Sequence, residues 1–262
     1  MQPLFIDSHL HFDTFDESGE VDAVLERAAE VGVSRFVAIG GTVDANALAA
    51  RLAGQYPGRV LAVAGYDRDE AGGDPPTGPL KEVLDRPGVA GVGETGLDYH
   101  YSPDTASAQC SLFEAMLGQA ADRRLPVSVH SRDADDDMLT RLSRHADGWQ
   151  GDPGRLGVLH CFTGSAPFAG RLLELGLHIS FSGIVAFKNA DDLRGVAAEI
   201  PDDRLLIETD APYLAPPPWR GKRNEPAYVV KVAEALAAVR GTSVEEIARI
   251  TTSNAERLFG FA

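Results

Sequence analysis

Cysteine is scarce in this chain: 262 residues hold two, Cys110 and Cys161, with no C-x-x-C spacing. That excludes a disulfide framework and a thiolate zinc site, and leaves each cysteine as a small buried hydrophobe. Basic residues are also few, 24 against 39 acidic ones, for a formal charge of −15. Such a surface opposes sequence-independent attraction to long duplex DNA. It does not decide the character of one pocket, because a divalent ion reverses the potential locally. No apolar run is long enough to span a membrane. The opening MQPLFIDSHLHF has neither a basic n-region nor a signal-like apolar stretch, so a cytoplasmic location is expected. No linker, low-complexity tract or fixed-period repeat divides the chain, and residues 1–262 read as one domain.

What the chain does have is 44% hydrophobic residues arranged as alternating elements. Short β-branched runs fall at 4–10, 35–40, 59–66, 88–94, 126–130, 156–160, 177–183 and 204–210. Helix-like stretches lie between them, among them 21–32, 44–54, 106–124 and 133–146, several opening on Asp, Ser or Thr and closing near Gly. Strands alternating with helices imply parallel pairing with right-handed crossovers, and eight such units match an α/β TIM (β/α)8 barrel. An open doubly wound sheet is the competing architecture. It usually carries a Gly-rich phosphate loop after the first strand, where this chain reads DSHLHFD (7–13). The last segment, TSVEEIARITTSNAERLFG, starts with a capping box at Ser243 and Glu246 and is expected to form extra C-terminal helices closing one end.

Five of the seven histidines fall at or just beyond strand ends: His9, His11, His100, His130 and His160. In a barrel those ends share one face, where active sites are built. Singly, an H-x-H pair or a strand-end His reads as a polar turn or a hydrogen-bonded core residue; together they point to a cation. Glu94 closes VAGVGE and Asp210 closes LLIETD, and an acid ending an apolar run costs desolvation unless a cation or an N-cap meets it. Four imidazoles and two carboxylates exceed one tetrahedral zinc and suit two ions sharing a bridge. Glu94 is the candidate bridge, because none of the four lysines (Lys81, Lys188, Lys222, Lys231) lies at the end of strand four or five, where carboxylation would supply one.

With these residues identified, the chain resembles the TatD family of metal-dependent hydrolases, part of the amidohydrolase-like barrels. The carriers are DSHLHFD (7–13), GETGLDY (93–99), PVSVHSRDA (126–134), HCFTGS (160–165) and ETDAPYLAPPPWRGKRNEP (208–226), spread over essentially the whole chain. The resemblance implies that His9, His11 and Asp210 hold a first metal, His130 and His160 a second, with Glu94 bridging. It further implies a deoxyribonuclease, a 3′ to 5′ exonuclease acting on single-stranded DNA or RNA, or a deacylase of D-aminoacyl-tRNA.

Two divalent ions would activate a water and offset charge on the attacked phosphorus. Asp210 would take that water's proton as general base. The donor set admits Zn²⁺, Mn²⁺, Ni²⁺ or Mg²⁺. Glu208 reads either as an orienter of a ligand or as a barrel-interior acid. Arg132, Arg220, Lys222 and Arg223 are candidate phosphate grips, against the plainer reading of a solvated charged loop. Trp219 or Tyr213 could stack on a terminal base. His100 stands where the family often carries an Arg, as a substrate contact or simply an exposed residue. The acidic, Gly/Pro-rich stretch 67–79 would repel a polyanion if it overhangs the site. Expected partners are therefore single-stranded nucleic-acid ends or, as the alternative, a small ester, lactone, amide or phosphoester; no membrane or obligate protein partner is expected. A purely metal-storing barrel is disfavoured because the ligand set leaves coordination positions open.

Overall fold

The structure, a computed structural model, describes residues 3–73 and 77–261. Eight strands follow one another around a single sheet: β1 (Phe5–Leu10), β2 (Val33–Gly41), β3 (Val60–Tyr66), β4 (Val89–Asp98), β5 (Val127–Arg132), β6 (Gly157–Leu159), β7 (His178–Phe181) and β8 (Leu205–Ile207). Neighbours pair in chain order and in parallel. The crossovers and the tail are α1 (Asp13–Glu17), α2 (Val21–Glu30), α3 (Val43–Gln55), α4 (Thr77–Leu84), α5 (Ala106–Arg123), α6 (Asp135–Gly148), α7 (Ala166–Glu174), α8 (Asp191–Glu199), α9 (Val229–Arg240) and α10 (Val244–Phe259). This is the (β/α)8 barrel that the alternation of elements leads one to expect. Among the described residues no helix is long and apolar enough to cross a membrane.

The strands form where β-branched and aromatic residues alternate between two buried layers. Outward residues such as Phe5, Phe36 and Phe181 pack with Phe113, Met138 and Leu142 of the helical ring. Inward residues Ile6, Val37, Ile39, Val63, Val158 and Leu206 fill the barrel and meet Ala255, Leu258 and Phe259 of α10, which plugs the N-terminal end. Helix starts carry the expected chemistry: Thr42 Oγ1 accepts the Ala45 N–H at 3.2 Å, and Ser165 Oγ accepts that of Phe168 at 3.3 Å. At α10, Ser243 Oγ accepts the Glu246 N–H at 3.2 Å, but the Glu246 carboxylate turns to Arg249 (2.6 Å) and not back to the cap. A cationic partner outcompetes a neutral N–H, so the box is half made.

Two strand ends depart from the sequence reading by three residues or more. β4 does not stop at Glu94 but runs on to Asp98. Gly93 and Gly96, at φ +150° and +148°, bend it through a register shift between Val92 and Thr95. A Cβ on Gly96 would lie 1.9 Å from the His130 carbonyl oxygen, so only glycine admits this approach. β8 is shorter than expected and ends at Ile207, leaving Glu208, Thr209 and Asp210 in the segment that closes the barrel. There Ser8 Oγ donates to the Ile207 carbonyl (2.8 Å), the Asp210 N–H to the His9 carbonyl (3.0 Å), and the His11 N–H to the Ala211 carbonyl (2.8 Å).

Candidate metal centre

β1 carries His9 and delivers His11 just past its end, and a buried carboxylate ties this end to the segment after β8. Asp7 Oδ1 accepts the Thr209 N–H at 2.9 Å, and Oδ2 accepts the Thr209 hydroxyl. Burial pushes the Asp7 carboxyl up to about 8 against these hydrogen bonds. Asp210 is held with φ +55°, a conformation aspartate tolerates better than most side chains and one that recurs at functional sites.

The other five sequence-predicted ligands gather around Glu94, whose two oxygens face different partners. Oε2 lies 3.6 Å from His9 Nε2 and 3.5 Å from His11 Nε2, and those two nitrogens are 3.8 and 3.7 Å from Asp210 Oδ1. Oε1 lies 3.2 Å from His160 Nε2 and 3.5 Å from His130 Nδ1. The His9 and His160 rings stack at 3.7 Å with their planes 3° apart. Ligands ~2.0–2.2 Å from one ion sit roughly 3.3–3.6 Å from one another, so these spacings suit a cation. The sets His9, His11, Asp210 and His9, Glu94, His160 each gather within 4.8 Å. His9 Nε2 is buried without a hydrogen-bond partner among the described residues, the state of a lone pair reserved for a metal.

The far nitrogens of two rings are hydrogen-bonded, and that of a third faces a carboxylate at ion-pair distance. His9 Nδ1 is 3.3 Å from Ser128 Oγ, His130 Nε2 is 3.2 Å from Asp98 Oδ2, and His160 Nδ1 is 3.4 Å from Glu208 Oε1. Glu208 Oε1 also accepts the Cys161 N–H at 2.6 Å. Burial lowers His9 to about 4, helped by the charge of His160, and it lowers His11 and His130, so these three rings are neutral near pH 7. Burial opposes charge on His160 too, yet Glu94 and Glu208 on either side outweigh it and raise this histidine well above its usual value. Burial works against Glu94, but His160 and His9 hold its carboxyl well below the usual range. Asp210 is raised by burial, with Glu208 and Glu94 adding to the effect against His160. Three neutral imidazoles, a fourth that must give up its proton to a bound ion, and crowded carboxylates form a donor set that fits divalent cations.

Two side chains that the sequence reading passed over join the same cluster. Arg68, from the loop after β3, places Nη1 3.2 Å from Glu94 Oε1 and 2.7 Å from Asp67 Oδ2, with Nε 3.8 Å from Asp98 Oδ2. Asp98 Oδ1 accepts the N–H groups of His100 and Tyr101 at 3.0 and 2.9 Å. Burial disfavours the Asp98 charge, but these bonds and that of His130 hold its carboxyl down at about 2. Signals for both were present. Asp98 is four residues past Glu94 on a strand, hence on its face, and Arg68 is the lone base in the acidic 67–79 stretch. Of that stretch, Asp74, Pro75 and Pro76 lie outside the described residues.

The candidate substrate contacts sit farther out. Arg132 lies 4.9 Å over the Tyr101 ring and lines a cavity of about 800 Å³ with Tyr99, Asp133, Asp135, Asp136 and Phe168. Arg220 lies 3.6 Å over Phe187, while Arg223 pairs with Glu20 at 2.7 Å and covers Phe15; Lys222 is exposed. Trp219 stacks on Tyr228 at 3.9 Å, and exposed Tyr213 meets the His11 ring edge-on at 6.0 Å. His100 pairs with Asp133 at 3.1 Å, not with any of the six.

A parallel (β/α)8 barrel that gathers imidazoles and carboxylates at the C-terminal ends of its strands defines a metal-dependent hydrolase. The chain belongs to the family described as TatD related DNase, which it matches over residues 6–260. It is 42% identical over 258 residues to the uncharacterized metal-dependent hydrolase YcfH of Escherichia coli K12, covering 97% of this chain and 95% of that one. It is 36% identical over 249 residues, 91% of both chains, to the 3′-5′ ssDNA/RNA exonuclease TatD of Dickeya dadantii. The crystal structure of YJJV, a TatD homolog from Escherichia coli K12, superimposes with a TM-score of 0.88 at 31% identity over 100% of both chains.

Proposed function

We propose that the chain is a two-metal phosphodiesterase that removes nucleotides from the 3′ ends of single-stranded DNA or RNA in the cytoplasm. The observation that carries the two-ion reading is the division of Glu94: Oε2 faces His9 and His11 beside Asp210, and Oε1 faces His130 and His160. The nuclease reading draws on the Dickeya dadantii relative's name. When bound, a pair of divalent cations, Zn²⁺, Mn²⁺, Ni²⁺ or Mg²⁺, acidifies water and offsets charge on the scissile phosphate.

The chain's own residues do the rest. Asp210, beside His9 and His11 on the open side, accepts the attacking water's proton as general base. Asp98, Glu208 and Ser128 each hold the far nitrogen of a ligand histidine, fixing ring orientation. Glu208 thus serves as the orienter and not merely as an interior acid. Arg132, at the cavity mouth, and Arg220, Lys222 and Arg223 on the outer loop supply cationic contacts for the strand approaching the site.

The test is a 3′-labelled single-stranded oligonucleotide incubated with Mg²⁺ or Mn²⁺. Progressive shortening is expected, and Asp210→Asn should abolish it while leaving the circular-dichroism spectrum unchanged. Elemental analysis of protein purified without chelator should find close to two ions per chain. A second reading has its own support: Asp133, Asp135 and Asp136 line the cavity beside the site, which disfavours a polyanion and favours a small ester or phosphoester. Turnover of such an ester with no shortening of the oligonucleotide would select it.

A further inference from the structure

The two oxygens of Glu94 face different kinds of group. On the Oε2 side, His9 and His11 are joined by the Asp210 carboxylate, and no Lys or Arg among the described residues pairs with any of these three. On the Oε1 side no acid stands opposite Glu94; the carboxylates there, Asp98 and Glu208, lie behind the rings, on the far nitrogens of His130 and His160. Instead the Arg68 guanidinium stands 3.2 Å from that oxygen. Asp67 grips the same Nη1 from behind at 2.7 Å, Asp98 lies 3.8 Å from Nε, and the side chain is only 19% exposed, so it is packed in place. Among the described residues, Arg68 is the one Lys or Arg in ion-pair range of any of the six proposed ligands.

From this asymmetry we infer that Arg68 is a positioning residue that grades the two metal sites, occupying the Oε1 side as a resident cation so that one ion binds tightly and the second weakly. The inference rests on the two-ion reading above. A cation entering beside His130 and His160 meets a fixed positive charge and must share the Oε1 lone pairs that Arg68 contacts. A cation entering beside His9, His11 and Asp210 meets carboxylates on two sides and no guanidinium. The second ion is then exchangeable, and Arg68 keeps Glu94 charge-paired whenever that ion is away.

Calorimetric titration of the chelator-stripped full chain with Mn²⁺ tests this, counting bound ions in parallel by electron paramagnetic resonance. Wild type should bind a first ion and then a second at least tenfold more weakly. In Arg68→Gln the second constant should tighten by tenfold or more while the first changes less than threefold. Arg68→Lys, which retains the charge, should keep most of the gap. Should Arg68→Gln fail to fold, ¹⁵N spectra of the wild type serve instead, with the Arg68 Nε–H signal assigned through Arg68→Lys and expected to move with the second equivalent of diamagnetic Zn²⁺. Two ions with an unchanged gap in Arg68→Gln, or an Arg68 signal that moves with the first equivalent or not at all, would overturn the inference alone. Saturation at one ion in both wild type and Arg68→Gln would overturn the two-ion reading beneath it.

Discussion

The two ends of the barrel are built on opposite terms. At the N-terminal end, α10 inserts Ala255, Leu258 and Phe259 among Ile6, Val37, Val63 and Leu206, a predominantly apolar plug. At the C-terminal end, Asp7, His9, Glu94, Asp98, His160 and Glu208 are buried at 5% exposure or less, so polar and ionisable groups stand where packing would favour leucine. The first arrangement gains stability from area removed from water; the second gives up stability to hold charged groups dry and aligned. Stability and chemistry are thus assigned to separate ends, and substitutions should sort accordingly.

The largest effect should come from Glu94→Gln, which keeps the shape but removes the charge facing both histidine pairs. Hydrolysis should fall by a factor of about 10³ or more, the scale of losing a group that acts on the transition state. The metal-free chain should also lose stability, because Arg68 and His160 are left without the carboxylate they share. An activity assay beside a urea melt decides it, and hydrolysis within tenfold of wild type would break the assignment of chemistry to this end.

Leu258→Ala probes the other end. Removing a fully buried side chain from the plug should cost about 2–5 kcal/mol in a denaturant melt. Metal content and activity per folded molecule should not change; a drop in either would show that the two ends are coupled.

Asp98→Asn sharpens the comparison within the polar end. Weakening the hold on His130 Nε2 should lower metal affinity by about 10–100-fold, read by competition with a chromophoric chelator. The same residue sets a pH dependence in metal-free protein. Its carboxyl is held at about 2, below the ordinary value of 3.8. The ionised form is therefore favoured by folding. That stabilisation is complete above about pH 4 and is lost as pH falls toward 2, roughly 2 kcal/mol in all. Acid melts of wild type should show the loss, and those of Asp98→Asn should show it reduced.

The smallest effect is expected from Ser243→Ala. Losing the α10 cap should destabilise by about 1 kcal/mol with no change at the site, a shift of a few degrees at most in a thermal melt.

The barrel was legible because its signals are local. Runs such as RVLAVAGY and RLLIET mark strands by period and β-branching, and DSHLHFD shows two histidines at a strand end without any knowledge of what faces them. His130 and His160 were legible for the same reason. Less was visible where backbone geometry depends on contact with another strand. β4 passes Glu94 because Gly96 can lie against His130, and β8 ends early because its continuation bonds to β1. Arg68 looked like part of an acidic overhang, yet it points inward to Glu94, 26 residues away.

By itself, then, the sequence determined the class of fold, the six ligand candidates and the extra helices at the C-terminal end of the chain, all of which follow from residue type and spacing. Only the tertiary structure decided which oxygen of Glu94 faces which histidines, that Asp98 and Glu208 back His130 and His160, and that a guanidinium stands on one side of the centre. Those are contacts between segments tens to hundreds of residues apart. Their distances arise from closing the barrel, and no local pattern encodes them.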